Sequence, residues 1–310
     1  MTGPRGVRSV LLLALFLAAG ACASGYASEA SQNAHADPDS VPQVGPENGA
    51  LVLAGGGELA PEVWDAFLEL AGGDSARIVL IPTAAAEEDL EDRLPTAERL
   101  RNAGAREVTV LHTRDREEAD APDFSAPLEN ATGVWISGGR QWRLVDAYLH
   151  TRTHRKLYEL LTRGGVVGGN SAGASILASF LARGDPETND ILIAPEYQEG
   201  FGFLAGAAVD QHLLARNRQD DLWELIYQHP ELLGVGIDEG TAAVVQGNRA
   251  EVVGPSGVAF YNGFSYMGRP VLLKHGEVYD LGHRLVVVGR AVENQLDPKL
   301  DPELDFHDLH

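Results

Sequence analysis

The chain has 310 residues, 44% of them hydrophobic, enough for a substantial core in one globular domain with tails. Its formal charge of -21 excludes nucleic acid as a partner, because phosphates would be repelled; the acidity reads as mostly solvating, with cationic substrate groups tolerated. The single cysteine, Cys22, leaves no intramolecular disulfide to support the fold.

Arg5 and Arg8 precede a short apolar run, 11–19, that ends in small residues. This is the layout of a secretory signal, and the run is too short to cross a bilayer. Residues 1–22 therefore read as a signal peptide, and the chain as an exported protein. Two endings stay open. Ala19-Gly20-Ala21 fits simple cleavage into the periplasm, whereas Leu17 to Cys22 resembles a lipoprotein signal, with Cys22 lipidated and the protein anchored to a membrane. Residues 23–48, rich in Ala, Ser and Pro, read as a disordered linker, 49–292 as an α/β domain, and 293–310 as an acidic tail.

Within the domain, short apolar runs alternate with amphipathic stretches, the pattern of a parallel sheet covered by helices. Strands are expected at 51–54, 77–81, 107–111, 132–136 and 165–167, with helices from Pro61 and over 88–102, 141–149, 154–161 and 174–181. Beyond Gly200 the pattern changes to closely spaced strands at 205–209, 234–238, 241–246, 250–253, 258–261 and 285–288, so part of the sheet should turn antiparallel. The fold class is thus three-layer doubly wound α/β, mostly parallel, with antiparallel strands in the carboxyl half. Sites in such folds gather at the carboxyl ends of strands.

Gly169-Asn170-Ser171-Ala172-Gly173 satisfies G-x-S-x-G between a buried strand and a helix. Such a reversal exposes the serine hydroxyl, while the amides that open the helix, Ala172 first, suit a developing oxyanion. The plainer reading is that Ser171 caps the helix. A phosphate-binding turn is excluded by the absence of the lysine it needs. A nucleophile requires a base and a group that orients the base. His212 in Asp210-Gln211-His212 stands out at a strand end, and Asp238 and Glu239 end another apolar strand. Two orders remain open on the residues alone: Ser171, His212, Glu239, or the α/β-hydrolase esterase order Ser171, Asp238, then His275 or His283. His150 and His154, four apart, would suit a metal only with a carboxylate pair nearby.

Four motifs in this order resemble those of the cyanophycinase-like serine peptidases (peptidase S51), relatives of dipeptidase E with a class I glutamine amidotransferase-like fold. They are Gly138-Gly139-Arg140-Gln141, 168–174, Asp210-Gln211-His212 with Arg216 and Arg218, and 236–242. The resemblance implies Ser171 as nucleophile, His212 as base and Glu239 as its orienting acid, with the Gly139 and Ala172 amides as oxyanion hole. It also implies Gln141, Asp210, Gln211, Arg216 and Arg218 as substrate-binding residues, and neither metal nor organic cofactor. Three positions depart from the family pattern: Asp221 replaces an expected arginine, Arg140 an aspartate, and Asn170 a common threonine. The expected activity is serine-type exopeptidase or dipeptidase cleavage of Asp-containing peptides or isopeptides, β-Asp-Arg among them. A non-catalytic exported binding protein is the reading from another class. The partners expected are that substrate, a lipid anchor on the Cys22 reading, and a second copy of the chain.

Overall fold

The computed structural model describes residues 41–263 and 269–288. The expected signal at 1–22 with Cys22, the first part of the expected linker and the tail 293–310 lie outside the described residues. Residues 41–48, assigned from composition to that linker, belong to the fold instead. Val44 is buried, its amide donates to Asn248 Oδ1 at 2.8 Å, and Asn248 Nδ2 donates to the Pro42 carbonyl. The anchor is a side chain 204 positions away, which no local pattern could reveal.

The described strands are β1 (Ala50–Ala54), β2 (Arg77–Ile81), β3 (Glu107–Val110), β4 (Gly133–Ile136), β5 (Val166–Asn170), β6 (Ala178–Phe180), β7 (Leu204–Gln211), β8 (Leu233–Ile237), β9 (Ala242–Gln246), β10 (Arg249–Val253), β11 (Gly257–Asn262), β12 (Val271–Lys274), β13 (Val278–Asp280) and β14 (Leu285–Val288). The larger sheet is ordered β14-β13-β10-β9-β1-β5-β4-β2-β3. From β1 through β5, β4 and β2 to β3 it is parallel; from β1 through β9, β10 and β13 to β14 it is antiparallel. The expected α/β class is present, with the change of direction at β1. Unforeseen is a second sheet, β12-β11-β8-β7-β6.

Two-residue alternation explains the layers. Leu51, Leu53, Val79 and Ile81 enter one cluster, and Ala50, Val52, Ala54, Ile78 and Leu80 the other. Val63, Trp64 and Phe67 of helix Pro61–Leu70, which begins with proline where its missing N–H costs nothing, cover the second face. Helices Gln141–Tyr148 and Arg152–Thr162 cover the first with Leu144, Tyr148, Leu157 and Leu160. The second sheet also packs on that first face, through Val209, Val235, Ile237, Val258 and Phe260. Its reverse face, with Ala208, Ala259 and Tyr261, is sealed by Leu222, Leu225 and Ile226 of helix Asp221–Gln228.

Two expected helices are shorter than their patterns. The 88–102 stretch forms a single turn, Glu91–Arg93, before helix Leu94–Asn102, whose first turn holds the proline. The 174–181 helix stops after Ala172–Ser175, and Ala178 and Phe180 pair instead with Leu204 and Ala208 of β7. An unsatisfied sheet edge outweighs the helix preference of a short Ala-Ser-Ile-Leu run.

Candidate active site

β5 delivers Ser171 to the carboxyl edge of the larger sheet. Its φ of 54° and ψ of -118° lie where L residues rarely sit, a strain of about 1–3 kcal/mol. The surroundings enforce it. Ser171 N donates to the Ala54 carbonyl of neighbouring β1 at 2.9 Å, and the Ser171 carbonyl accepts from Ala174 and Ser175. A Cβ at Gly169 would lie 2.4 Å from the Gly173 carbonyl oxygen, and one at Gly173 2.0 Å from that of Ile136, so both positions admit only glycine. The Ser171 side chain does not cap the helix. Its Oγ lies 2.9 Å from His212 Nε2.

His212 follows β7, also at positive φ (56°), with its amide donating to the Gly55 carbonyl at 3.0 Å. Its Nδ1 lies 2.5 Å from Glu239 Oε1, on the turn after β8. The line Ser171, His212, Glu239 is therefore continuous. The β1 turn forms the bed beneath it: a Cβ on Gly56 (φ +108°) would fall 2.4 Å from His212 Cε1, and one on Gly57 2.6 Å from Glu239 Oε2. These two glycines, between the expected strand 51–54 and the helix from Pro61, are site residues that sequence reasoning did not single out. Burial pushes the His212 pKa below the ordinary 6.5, against the Glu239 hydrogen bond that raises it, with Arg216 adding to the lowering. The resting imidazole is thus favoured neutral, the form that can accept a proton.

The alternative order is not assembled. Asp238 Oδ1 accepts from the Leu214 and Ala215 amides at 2.9 and 3.0 Å, and Oδ2 from Ser256 at 2.6 Å. Burial alone would raise the Asp238 carboxyl, but the hydrogen bonds from Ser256 and from the Ala215, Glu239 and Leu214 amides together hold it below the usual carboxylate value. Asp238 thereby fixes the backbone just beyond His212. His275 Nδ1 accepts from the Gly254 amide, and His283 pairs with Asp280 at 3.0 Å, so neither histidine meets Ser171. His150 pairs with Glu199 at 3.0 Å, and both His154 nitrogens meet backbone groups; among the described residues no metal-ligating cluster forms.

A cleft of about 320 Å³ opens above Ser171, lined by Gly57, Arg93, Gly138, Gly139, Asn170, Asn189, Gln211, His212 and Arg216. Gly139 (φ +152°) is another obligatory glycine, since its Cβ would meet the Ala84 carbonyl oxygen at 2.0 Å. Among the described residues, neither the Gly139 nor the Ala172 amide has an acceptor. Asn170 accepts from Trp135 Nε1 at 3.2 Å.

The five expected substrate-binding residues separate by burial. Arg216 is exposed and faces the cleft. Gln211 lines it as well, its Oε1 accepting from Arg218 Nη1 at 2.7 Å. Three are not among the residues that line the cleft. Gln141, 1% exposed, donates to the Ala182 carbonyl; Arg218 is buried behind Gln211. Asp210, fully buried, binds Arg183 through two parallel bonds of 2.8 and 2.9 Å. Arg183 carries no motif and went unnoticed in the sequence. It also reaches Asp221, so the aspartate in place of an arginine is neutralised by this local partner. Arg140 Nη2 donates to the Asp185 carbonyl.

Residues 51–253 match the model of the family described as peptidase family S51. The chain is 31% identical over 252 residues to the cyanophycinase of Geminocystis herdmanii (strain PCC 6308), covering 76% of this chain and 91% of that one. It is 35% identical over 203 residues to the cyanophycinase of Thermosynechococcus vestitus, 64% of this chain and 63% of the relative. A crystal structure of a peptidase from an acI-B1 Actinobacterium superposes with a TM-score of 0.60 at 27% identity, covering 76% of this chain and 98% of that one.

Proposed function

Because the chain belongs to peptidase family S51 and is a peptidase of that family, we propose that it is serine-type and cleaves peptide or isopeptide bonds through an acyl-enzyme on Ser171. The observation that carries this reading is the 2.9 Å contact of Ser171 Oγ with a buried imidazole whose far nitrogen is held by Glu239. His212 Nε2 takes the Ser171 proton as Oγ attacks the scissile carbonyl carbon. The carbonyl oxygen becomes an oxyanion beside the Gly139 and Ala172 amides, which have no competing acceptor among the described residues. The imidazolium, stabilised by Glu239, returns the proton to the leaving nitrogen as the C–N bond breaks; water, activated by the same imidazole, then releases the acyl group.

The cleft and the relatives together support a reading of the substrate class. A cleft of about 320 Å³ is of the size of a dipeptide segment, and relatives at 31% and 35% identity are cyanophycinases. We assign the chain to release of dipeptides from Asp-containing substrates, β-Asp-Arg isopeptides among them. Export, through the signal at 1–22 with or without lipid on Cys22, completes the proposal.

Ser171→Ala should lower hydrolysis by on the order of 10⁴-fold or more while leaving the melting temperature within a few degrees. Incubation with cyanophycin and a panel of Asp dipeptides and isopeptides, products identified by mass, reads both activity and substrate. Wild-type rates from Ser171→Ala would overturn the nucleophile. Failure of wild-type Ser171 to react with a fluorophosphonate would favour a non-catalytic binding protein.

A further inference from the structure

Of the arginines around the cleft, four have their guanidinium groups occupied by the protein itself. Arg183 holds Asp210 and Asp221, Arg218 holds Gln211, Arg140 donates to the Asp185 carbonyl and Arg143 to that of Ala84. Arg93 and Arg216 differ. Both line the cleft with Ser171, and among the described residues neither side chain makes a hydrogen bond or ion pair. Arg93 stands among Glu91, Asp92 and other acidic residues, yet pairs with none of them. Its Nε is buried and, like that of Arg140, has no acceptor among the described residues. A guanidinium that lines the cleft and has no protein partner for its donors is free to bind a ligand group that enters there.

We propose that Arg93, on the turn leading into helix Leu94–Asn102, is a specificity-determining residue that binds a carboxylate of the substrate in concert with Arg216. A guanidinium fork matches a carboxylate through two parallel charge-assisted bonds. Two unpaired cations facing one small cleft in a chain of net charge -21 select an anionic group against the charge of the whole molecule. The overall acidity suggested tolerance of cationic groups; the cleft beside Ser171 favours an anion. The carboxylate comes from either of two places, the side chain of an aspartyl residue or the C-terminus of the leaving residue.

The inference rests on Ser171 marking the substrate site, and its test needs no turnover. In the full-length Ser171→Ala chain, calorimetry measures binding of Asp-Ala, Asn-Ala and the C-terminal amide of Asp-Ala. Adding Arg93→Gln should weaken Asp-Ala by about tenfold, the loss expected for one charge-assisted pair. Arg93→Lys, which keeps the charge but not the fork, should recover part of it. The loss should vanish with whichever analogue lacks the recognised carboxylate: Asn-Ala marks the side chain, the amide the C-terminus. Unchanged affinity for Asp-Ala, or an equal loss on all three peptides, would overturn the proposal. So would absence of binding by any of them to Ser171→Ala. If serine chemistry fails in wild type while Arg93 still discriminates, only the catalytic reading falls.

Discussion

Asp210 and His212 stand two positions apart at the end of β7, and the regions they enter could hardly differ more. His212 reaches over the glycine turn of β1 to an open cleft, where Ser171 on one side and Glu239 on the other take its two nitrogens. Asp210 turns away from the cleft into a closed ionic cluster in which Arg183, 2% exposed, is held by Asp210 and Asp221. The contrast teaches that charge within a family motif is not by itself substrate contact. Burial decides whether a charged side chain meets ligand or neighbour, and a buried ion is tolerated only when paired.

The closed cluster breaks hardest. Asp210→Leu leaves Arg183 without its two-pronged partner and should cost about 3–5 kcal/mol of stability, seen as a lower denaturation midpoint in urea. Adding Arg183→Met should recover much of that loss, since a buried pair replaced by apolar groups is often neutral. No comparable recovery would mean that the pair is not the source of the effect. The open region should break in rate. Gly56→Ala drives a methyl into the imidazole, so kcat should fall roughly 10²-fold from misplacement alone. Its KM should move little, and its urea midpoint should fall less than that of Asp210→Leu, by the strain of about 1–3 kcal/mol that alanine meets at this positive φ.

The smallest effect is in pH. His212 must be neutral to accept the proton, and burial lowers its pKa below 6.5, so the acid limb of kcat/KM should lie below 6.5 and activity should rise through it. Glu239 opposes that lowering. Glu239→Gln should therefore shift the limb further toward acid while lowering kcat, and a shift toward alkali would contradict the orienting role.

Ser171 was legible because strand, glycine elbow and helix are consecutive in sequence, and the order of His212 and Glu239 came with the family resemblance. The parallel half of the sheet was legible for a similar reason, since Leu51, Val79 and Val134 sit in local apolar runs. Gly56 and Gly57 lie between an expected strand and an expected helix; what they support arrives from residues 212 and 239. Arg183 and Arg93 were silent because pairing and its absence are properties of three-dimensional surroundings. The second sheet escaped notice although β7, β8 and β11 were expected as strands, because which strands pair is decided over long range, and β6 arises where local preference favours helix. Gln141, Asp210 and Arg218 have the side chains of a binding site and the burial of a framework.

The turn after β1 carries one more implication. Gly55 accepts from His212 N and donates to the Thr241 carbonyl, and Gly56 accepts from Gly240 N, so a segment made early in synthesis is clasped by segments made near its end. β1 itself lies between β5 and β9. A chain still emerging from the ribosome, with residue 239 not yet released, has a serine but no oriented base. The contacts that join Ser171, His212 and Glu239 therefore cannot form until most of the chain's length exists.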